Sequence, residues 1–179
     1  AQNTPAQKST SSIEADEQFN YVKTGTDSQK ILGRRGDDVR IDWGYFYMAA
    51  DKNHTNAVGN ALNLRKSFAE GGEVVASNDG NQMALSAKIG KVGAKEVSNY
   101  IMVGYDDLYS IQYFKENIRP YWNRKGDSSI QKQFALAAAE YEQLMKRCEK
   151  FDAQLMADGL KAGGKEYAEL LALAYRQAI

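Results

Sequence analysis

Up to Tyr113, apolar residues tend to recur at every second position; after Pro120 they recur at every third or fourth. The first period belongs to strands and the second to helices. Residues 1–18 are small and polar, with Ile13 as the only large apolar side chain, and predict a surface arm. Phe19–Lys23 reads as a short strand. Gly25–Gly36 is loop-like and runs into Gly33-Arg34-Arg35-Gly36-Asp37-Asp38. The clearest alternation follows: Val39, Ile41, Trp43, Tyr45 and Tyr47 against Arg40, Asp42, Gly44, Phe46 and Met48. The second face turns from charged to apolar along this strand. Its first half should therefore meet water, and Phe46 and Met48 should be covered. Leu62, Leu64 and Phe68 predict a further strand, broken by Gly71-Gly72. Val74–Ala76 predicts a short strand and Ser77–Asn81 a turn around Asp79-Gly80. Met83–Ile89, Val97–Tyr105 and Tyr109–Tyr113 complete the set. Short strands with turns between them and no intervening helix fit an antiparallel sandwich rather than βαβ units.

Beyond Pro120, Ile130, Phe134, Ala137, Tyr141, Leu144, Cys148, Phe151 and Leu155 step by four, three, four and three. That is an amphipathic helix over about 129–156, with Ser128 and Gln131 placed for a capping box. Asp158-Gly159 and Gly163-Gly164 predict a helix-breaking loop. Tyr167, Leu170, Leu171, Ala174 and Ala178 then mark one face of a second helix. No Gly or Pro closes it, which predicts an internal slice of a longer polypeptide. The expected organisation is a polar N-terminal arm at 1–18, a β-sandwich-like region at 19–120 and a helical hairpin at 121–179. The fold class is α+β, mainly an antiparallel β-sandwich followed by an α-hairpin. The apolar outer faces at Phe46 and Met48, and at Tyr100 and Met102, should meet the helical region.

Charge narrows the partners. The 179 residues carry 23 Lys and Arg against 23 Asp and Glu. A nucleic-acid or membrane-surface protein would carry a basic excess, so neither partner is expected. No apolar run approaches the ~20 residues of a membrane span. A chain of this length buries about 70% of its unfolded surface and needs no metal or disulfide to hold a core. Cys148 is the only cysteine and cannot form an internal disulfide.

The residue inventory offers little chemistry. His54 and Cys148 are the only His and Cys donors, in different settings, so no zinc site is expected. Asp37-Asp38, Asp106-Asp107 and Asn78-Asp79-Asn81 supply oxygen ligands but lack an EF-hand spacing, and read as solvated turns. A catalytic triad would need His54, which sits in a polar loop without a nucleophile elbow. Cys148 falls on the apolar seam of the long helix, where a free Cys acts as a small hydrophobe. Gly33-Arg34-Arg35-Gly36 lacks the phosphate-loop pattern and reads as a salt-bridged turn. Asn53-His54-Thr55 matches the N-glycosylation triplet. The 11 Tyr, 6 Phe and 2 Trp suit strand packing, and only an exposed coplanar row would make them a sugar platform. Tyr121-Trp122 reads as a contact locking the junction between sheet and helix. No catalytic, cofactor-binding or metal-ligating residue is assigned, and no cofactor is expected.

Several stretches resemble one family. They are Tyr21–Thr26, Gln29–Gly33, Ile41-Asp42-Trp43-Gly44-Tyr45-Phe46-Tyr47, and Gly104-Tyr105-Asp106-Asp107 through Phe114. Pro120-Tyr121-Trp122, Gly163-Gly164, Tyr167-Ala168 and Ala172–Gln177 follow in order. Together they are similar to the glutaminase A family of large secreted or surface enzymes. The resemblance implies a parent that hydrolyses L-glutamine to L-glutamate and ammonia. It implies a sandwich-like region ahead of an all-helical catalytic region of the α/α-barrel type. This chain would supply the sandwich and the first helical hairpin of a truncated barrel. Its partners would be the remainder of its own catalytic region and, through the parent, a small-molecule substrate. The resemblance also implies a secreted, periplasmic or cell-surface location. Residue reading leaves a second option open, a carbohydrate-binding sandwich module of a glycoside-hydrolase-like enzyme.

Overall fold

Alternation places Phe19, Tyr21 and Lys23 on one side of a strand and Asn20, Val22 and Thr24 on the other. A computed structural model of the chain, describing residues 8–31, 33, 43–71 and 82–178, covers both sides. In chain order the elements are β1 (Ser9–Ala15), β2 (Phe19–Thr26), β3 (Tyr45–Asp51), β4 (Thr55–Asn60), α1 (Ala61–Glu70), β5 (Met83–Ala87), β6 (Met102–Asp106), β7 (Ile111–Tyr113), β8 (Glu116–Ile118) and α2 (Ile130–Ala178). A single 3-10 turn, Tyr121–Asn123, precedes α2. The class is α+β, with antiparallel strands first and helix last. Two compact units divide the chain, Ala1–Phe134 and Ala135–Ile179.

In the first unit a four-stranded antiparallel sheet runs β1-β2-β3-β6. Register fixes what each face carries. Val22 pairs with Met48 and Ile13, so all three point the same way. They pack with Ala50 against Val58, Leu85, Met83 and Ala87 of the β4–β5 ribbon. This sandwich-like layer covers one face of the sheet. The other face carries Tyr21, Ala49 and Gly104, and it receives Ile130 and Phe134 from the first turns of α2. Tyr21 and Phe134 rings lie 5.8 Å apart. A Cβ at Gly104 would stand 2.9 Å from Phe134 Cζ, so only glycine lets the ring come down on β6.

Several expectations are corrected. Ser9–Ala15, read as part of a polar arm, is the edge strand of the main sheet; its Ser and Thr side chains suit an edge that needs one apolar anchor, Ile13. Leu62–Phe68, read as a strand, is helical. Asn60 caps it by accepting bonds from Leu62 N at 2.9 Å and Asn63 N at 3.2 Å, and Gly71 ends it at φ 67°. Leu62 and Phe68 are exposed, so no buried stripe announces the helix. Residues 97–101 form no strand, and pairing begins at Met102. Glu116–Ile118 pairs with Ile111–Tyr113 through a turn whose Phe114 and Lys115 both adopt positive φ. Met48 does not face the helix; its side is taken by the ribbon, while Met102 shares the helix-bearing face with Ala49. The expected strand at Val39–Asp42, the Val74–Ala76 strand and the Asp79-Gly80 turn lie outside the described residues.

At the start of α2 the cap is Ser129, not Ser128: its Oγ accepts from Lys132 N at 3.3 Å. Ser128 instead holds Gln133 Nε2 at 3.0 Å, and its own N–H reaches Asn123 Oδ1 at 3.1 Å. Asn123 is buried while Tyr121 is exposed, so Asn123 rather than Tyr121 fixes the turn into the helix.

In the second unit the helix does not break at Asp158-Gly159. It runs on to Gly164, whose φ of 79° and ψ of −168° are a backbone conformation reserved for glycine. The chain then folds back on itself. A Cβ at Gly159 would sit 2.9 Å from Ala168 Cα, and the Phe151 and Tyr175 rings are 5.0 Å apart. Close approach of Gly159 and Ala168 makes a helical hairpin. No helix among the described residues is long and apolar enough to cross a membrane.

Candidate functional site

The motifs of the first unit converge at Trp43-Gly44. Gly44 has a φ of 88°, and a Cβ there would lie 2.4 Å from Asp106 O and 2.8 Å from Asp107 Cα. Only glycine allows the β6 exit to pass so close. Gln29 reads the Gly44 peptide from both sides. Its Oε1 accepts from Gly44 N at 2.6 Å, and its Nε2 donates to Gly44 O at 3.3 Å and to Thr26 O at 3.0 Å. The Trp43 indole, 3% exposed, donates to Tyr109 O at 3.0 Å. The Tyr105 hydroxyl donates to Trp43 O. Asp106 Oδ1 accepts from Leu108 N at 3.0 Å, and Asp107 Oδ2 accepts from Ser110 Oγ at 2.6 Å. These bonds hold Leu108 at a φ of 59°, an uncommon value for a leucine. Gln29, Trp43-Gly44 and Tyr105-Asp106-Asp107 thus form one clasp that ties the ends of β2, β3 and β6.

The clasp is built for holding. Apart from the Ser110 Oγ–Asp107 Oδ2 bond, its side chains are directed at backbone groups of the same unit, which is how buried polar groups avoid a desolvation cost. One atom departs from that rule. Asp107 Oδ1 is buried without a hydrogen-bond partner.

A second polar group lies on the helix-bearing face. Lys23 Nζ stands 3.3 Å from Glu14 Oε1 and 4.3 Å from the centre of the Tyr45 ring. Glu14 Oε2 accepts from Gln131 Nε2 at 3.1 Å, which ties the edge strand to the first turn of α2. Burial pushes the Tyr47 phenol up. Burial would lower Lys23, but Tyr47 and Glu14 outweigh it and raise it. Burial also raises Tyr21, whose hydroxyl donates to Asp16 Oδ2; that bond and the Asp16 charge add to the rise. Burial would lift Asp16, but bonds from Tyr21, Phe19 N and Gln18 N prevail and hold its carboxyl below the usual value.

The candidate residues of the sequence fall elsewhere. His54 is exposed in the turn between β3 and β4. Cys148 is exposed on α2 rather than buried in a seam. Arg34-Arg35-Gly36, Asp37-Asp38 and Asn78-Asp79-Asn81 lie outside the described residues. No group of three or more His, Cys, Asp or Glu able to hold a metal ion occurs among the described residues. Phe19, Tyr21, Trp43 and Tyr47 are buried. The exposed pair Tyr113 and Phe114 meets edge-on at 78°, which is not a coplanar platform.

In the second unit the hairpin leaves apolar residues outward: Leu144, Phe151, Leu160, Leu170 and Leu173 are each about half exposed. A shallow groove of about 640 Å³ runs beside Leu144, Cys148, Phe151 and Tyr175. Another of about 440 Å³ runs beside Leu155, Met156 and Leu173.

The sequence model of a family described as a domain of unknown function, DUF5127, matches residues 1–158. The chain belongs to that family. The match takes in every residue of the clasp and most of α2 before Gly164. No curated protein and no solved structure gives a significant match to the DUF5127 chain. Periodicity could not have found Gln29, Glu14 or Asn123. Gln29 was visible only as part of a motif, and its partner Gly44 lies 15 residues away.

Proposed function

We propose that this DUF5127 chain is an internal part of a glutaminase-like amidohydrolase, which converts L-glutamine and water to L-glutamate and ammonia. In this reading the β unit is an accessory module. The hairpin is the opening pair of a helical catalytic region of the α/α-barrel type. The hydrolytic groups lie outside these residues, and the parent is secreted, periplasmic or displayed at the cell surface. The observation that carries the reading is the clasp. The first-unit motifs that resemble glutaminase A gather around Gly44, where they bond one another. Motifs spent on holding strands together suit an accessory module whose chemistry is done by other residues. The outward apolar residues of the hairpin lend further support, since a lone pair of helices cannot enclose a substrate and needs cover.

The test is ammonia release from L-glutamine by the full-length parent and by this chain, measured side by side, with oligosaccharides in the same panel. The parent is expected to release ammonia and the chain to be silent. A parent that hydrolyses only oligosaccharides, or an isolated chain with full glutaminase activity, would defeat the reading.

A further inference from the structure

We propose that Asn53 is an acceptor site for an N-linked glycan. The sequence holds one such triplet, Asn53-His54-Thr55. A triplet alone is weak, because many are never used. The structure adds the second requirement, a place where a large hydrated sugar costs the fold nothing. Asn53 lies in the turn that carries the chain from β3 in the main sheet to β4 in the ribbon. Its side chain is exposed, and its amide makes no hydrogen bond among the described residues. The turn is held by other groups. Asn53 N donates to Asp51 Oδ1 at 2.8 Å, His54 N to Asp51 O at 3.0 Å, and Lys52 N to Gln18 O at 2.9 Å. Thr55 Oγ donates to Asp51 O at 2.8 Å. None of these bonds uses the Asn53 side-chain nitrogen. Its neighbours Asp51, Lys52 and His54 are polar, so no apolar contact is lost when sugar covers them.

The chemistry is a group transfer. The Asn53 side-chain nitrogen forms a bond to the anomeric carbon of an oligosaccharide carried on a lipid pyrophosphate. The bond from that carbon to the pyrophosphate oxygen breaks, the lipid pyrophosphate leaves, and the amide proton passes to a base of the transferase. Transfer acts on the chain before it folds, when the Thr55 hydroxyl is still available for recognition. After folding, that hydroxyl is taken up by Asp51 O and the sugar remains outside.

The proposal shares with the amidohydrolase reading only an exported parent, and its assay contains no glutamine chemistry, so the two can fail separately. The full chain is fused behind a cleavable secretory signal and translated with endoplasmic-reticulum microsomes. Only protease-protected, translocated chains are scored. One endoglycosidase-sensitive mobility step is expected for the natural sequence and for Thr55→Ser. The step should vanish in Asn53→Gln and Thr55→Val. Translocated natural chain without the step overturns the proposal. The glycosylated chain and its enzymatically deglycosylated form should also melt together by tryptophan emission. A glycosylated form that fails to fold while its deglycosylated twin folds would equally overturn it, since the side chain would then be needed inside.

Discussion

The two units solve the problem of holding a fold in opposite ways. The β unit buries large side chains, among them Phe19, Tyr21, Trp43 and Tyr47, and threads them with long-range hydrogen bonds. The hairpin unit buries one apolar residue, Ala168, among its described residues, and closes on a glycine opposite it. A clasp of aromatic and amide groups gives the first unit a buried core and long-range bonds of its own, whereas the second closes by close backbone approach and leaves its apolar stripe outward. Isolated helices are marginal in water, so most of their stability comes from burying such a stripe. The difference separates a module whose motifs bond one another from one whose apolar stripe stays largely exposed. Both tryptophans, Trp43 and Trp122, lie in the β unit, so tryptophan emission reports that unit while far-ultraviolet ellipticity near the helical minimum reports mainly α2.

Trp43→Ala should have the largest effect. It removes a buried indole together with the bond to Tyr109 O, a change that costs about 3–5 kcal/mol. The Trp122 emission transition should move to much lower denaturant while most helical ellipticity stays. Loss of both signals at one midpoint would show that the hairpin leans on the β unit, and the contrast would fall. Gly44→Ala should follow, at about 2–4 kcal/mol, because it adds a positive-φ cost to an overlap with the Asp106 carbonyl. Gln29 cannot retain both of its bonds to that peptide if the strand shifts. Denaturant titration by emission checks this, and a midpoint unchanged from the natural chain would refute the clasp as an anchor.

What was legible in the sequence follows the same division. Strands β2, β3 and β5 could be read because alternation is a local signal and each has at least one face that must be dry. β1 could not, since an edge strand of Ser and Thr looks like a solvated arm until its partner is known. α1 was misread because Leu62 and Leu64 mimic alternation, although its capping Asn60 and Gly71 stood in plain view. Gly159 was read as a breaker. It stays helical because its missing Cβ is what admits Ala168, and that gain is tertiary. The clasp motifs could be named by resemblance, yet their bonds join residues as far apart as Trp43 and Tyr109, and no periodicity reports those.

Gly159→Leu sharpens the comparison from the other side. The added side chain forces the two arms of the hairpin apart, an overpacking cost of about 1–3 kcal/mol, from which about 1 kcal/mol is returned by better helix propensity. The net loss, at most about 2 kcal/mol, should appear in the thermal transition of helical ellipticity. The emission transition should stay where it was. A shift of emission as large as that of ellipticity would mean that the two units unfold as one.

The smallest expected effect is the response to pH, which should belong to the β unit alone. Asp16 accepts from Tyr21, Phe19 N and Gln18 N, and these bonds hold its carboxyl below the ordinary carboxylate value. A depressed folded value means that the ionised form is favoured on folding. Its stabilisation is complete above the unfolded value of about 4 and is lost as pH falls through the folded one. Tyr21 has the opposite sign. Its raised value favours the neutral phenol, so its contribution is complete below about 10 and is lost as pH rises further. Asp16 is partly exposed, so solvent screening keeps the acid effect small. Asp16→Asn should flatten the acid limb of the emission midpoint between neutral pH and pH ~3, and weaken the alkaline limb as well, because the carboxylate that raises Tyr21 is gone. An acid limb of undiminished depth in that variant would show that other carboxylates, not this turn, carry the pH response.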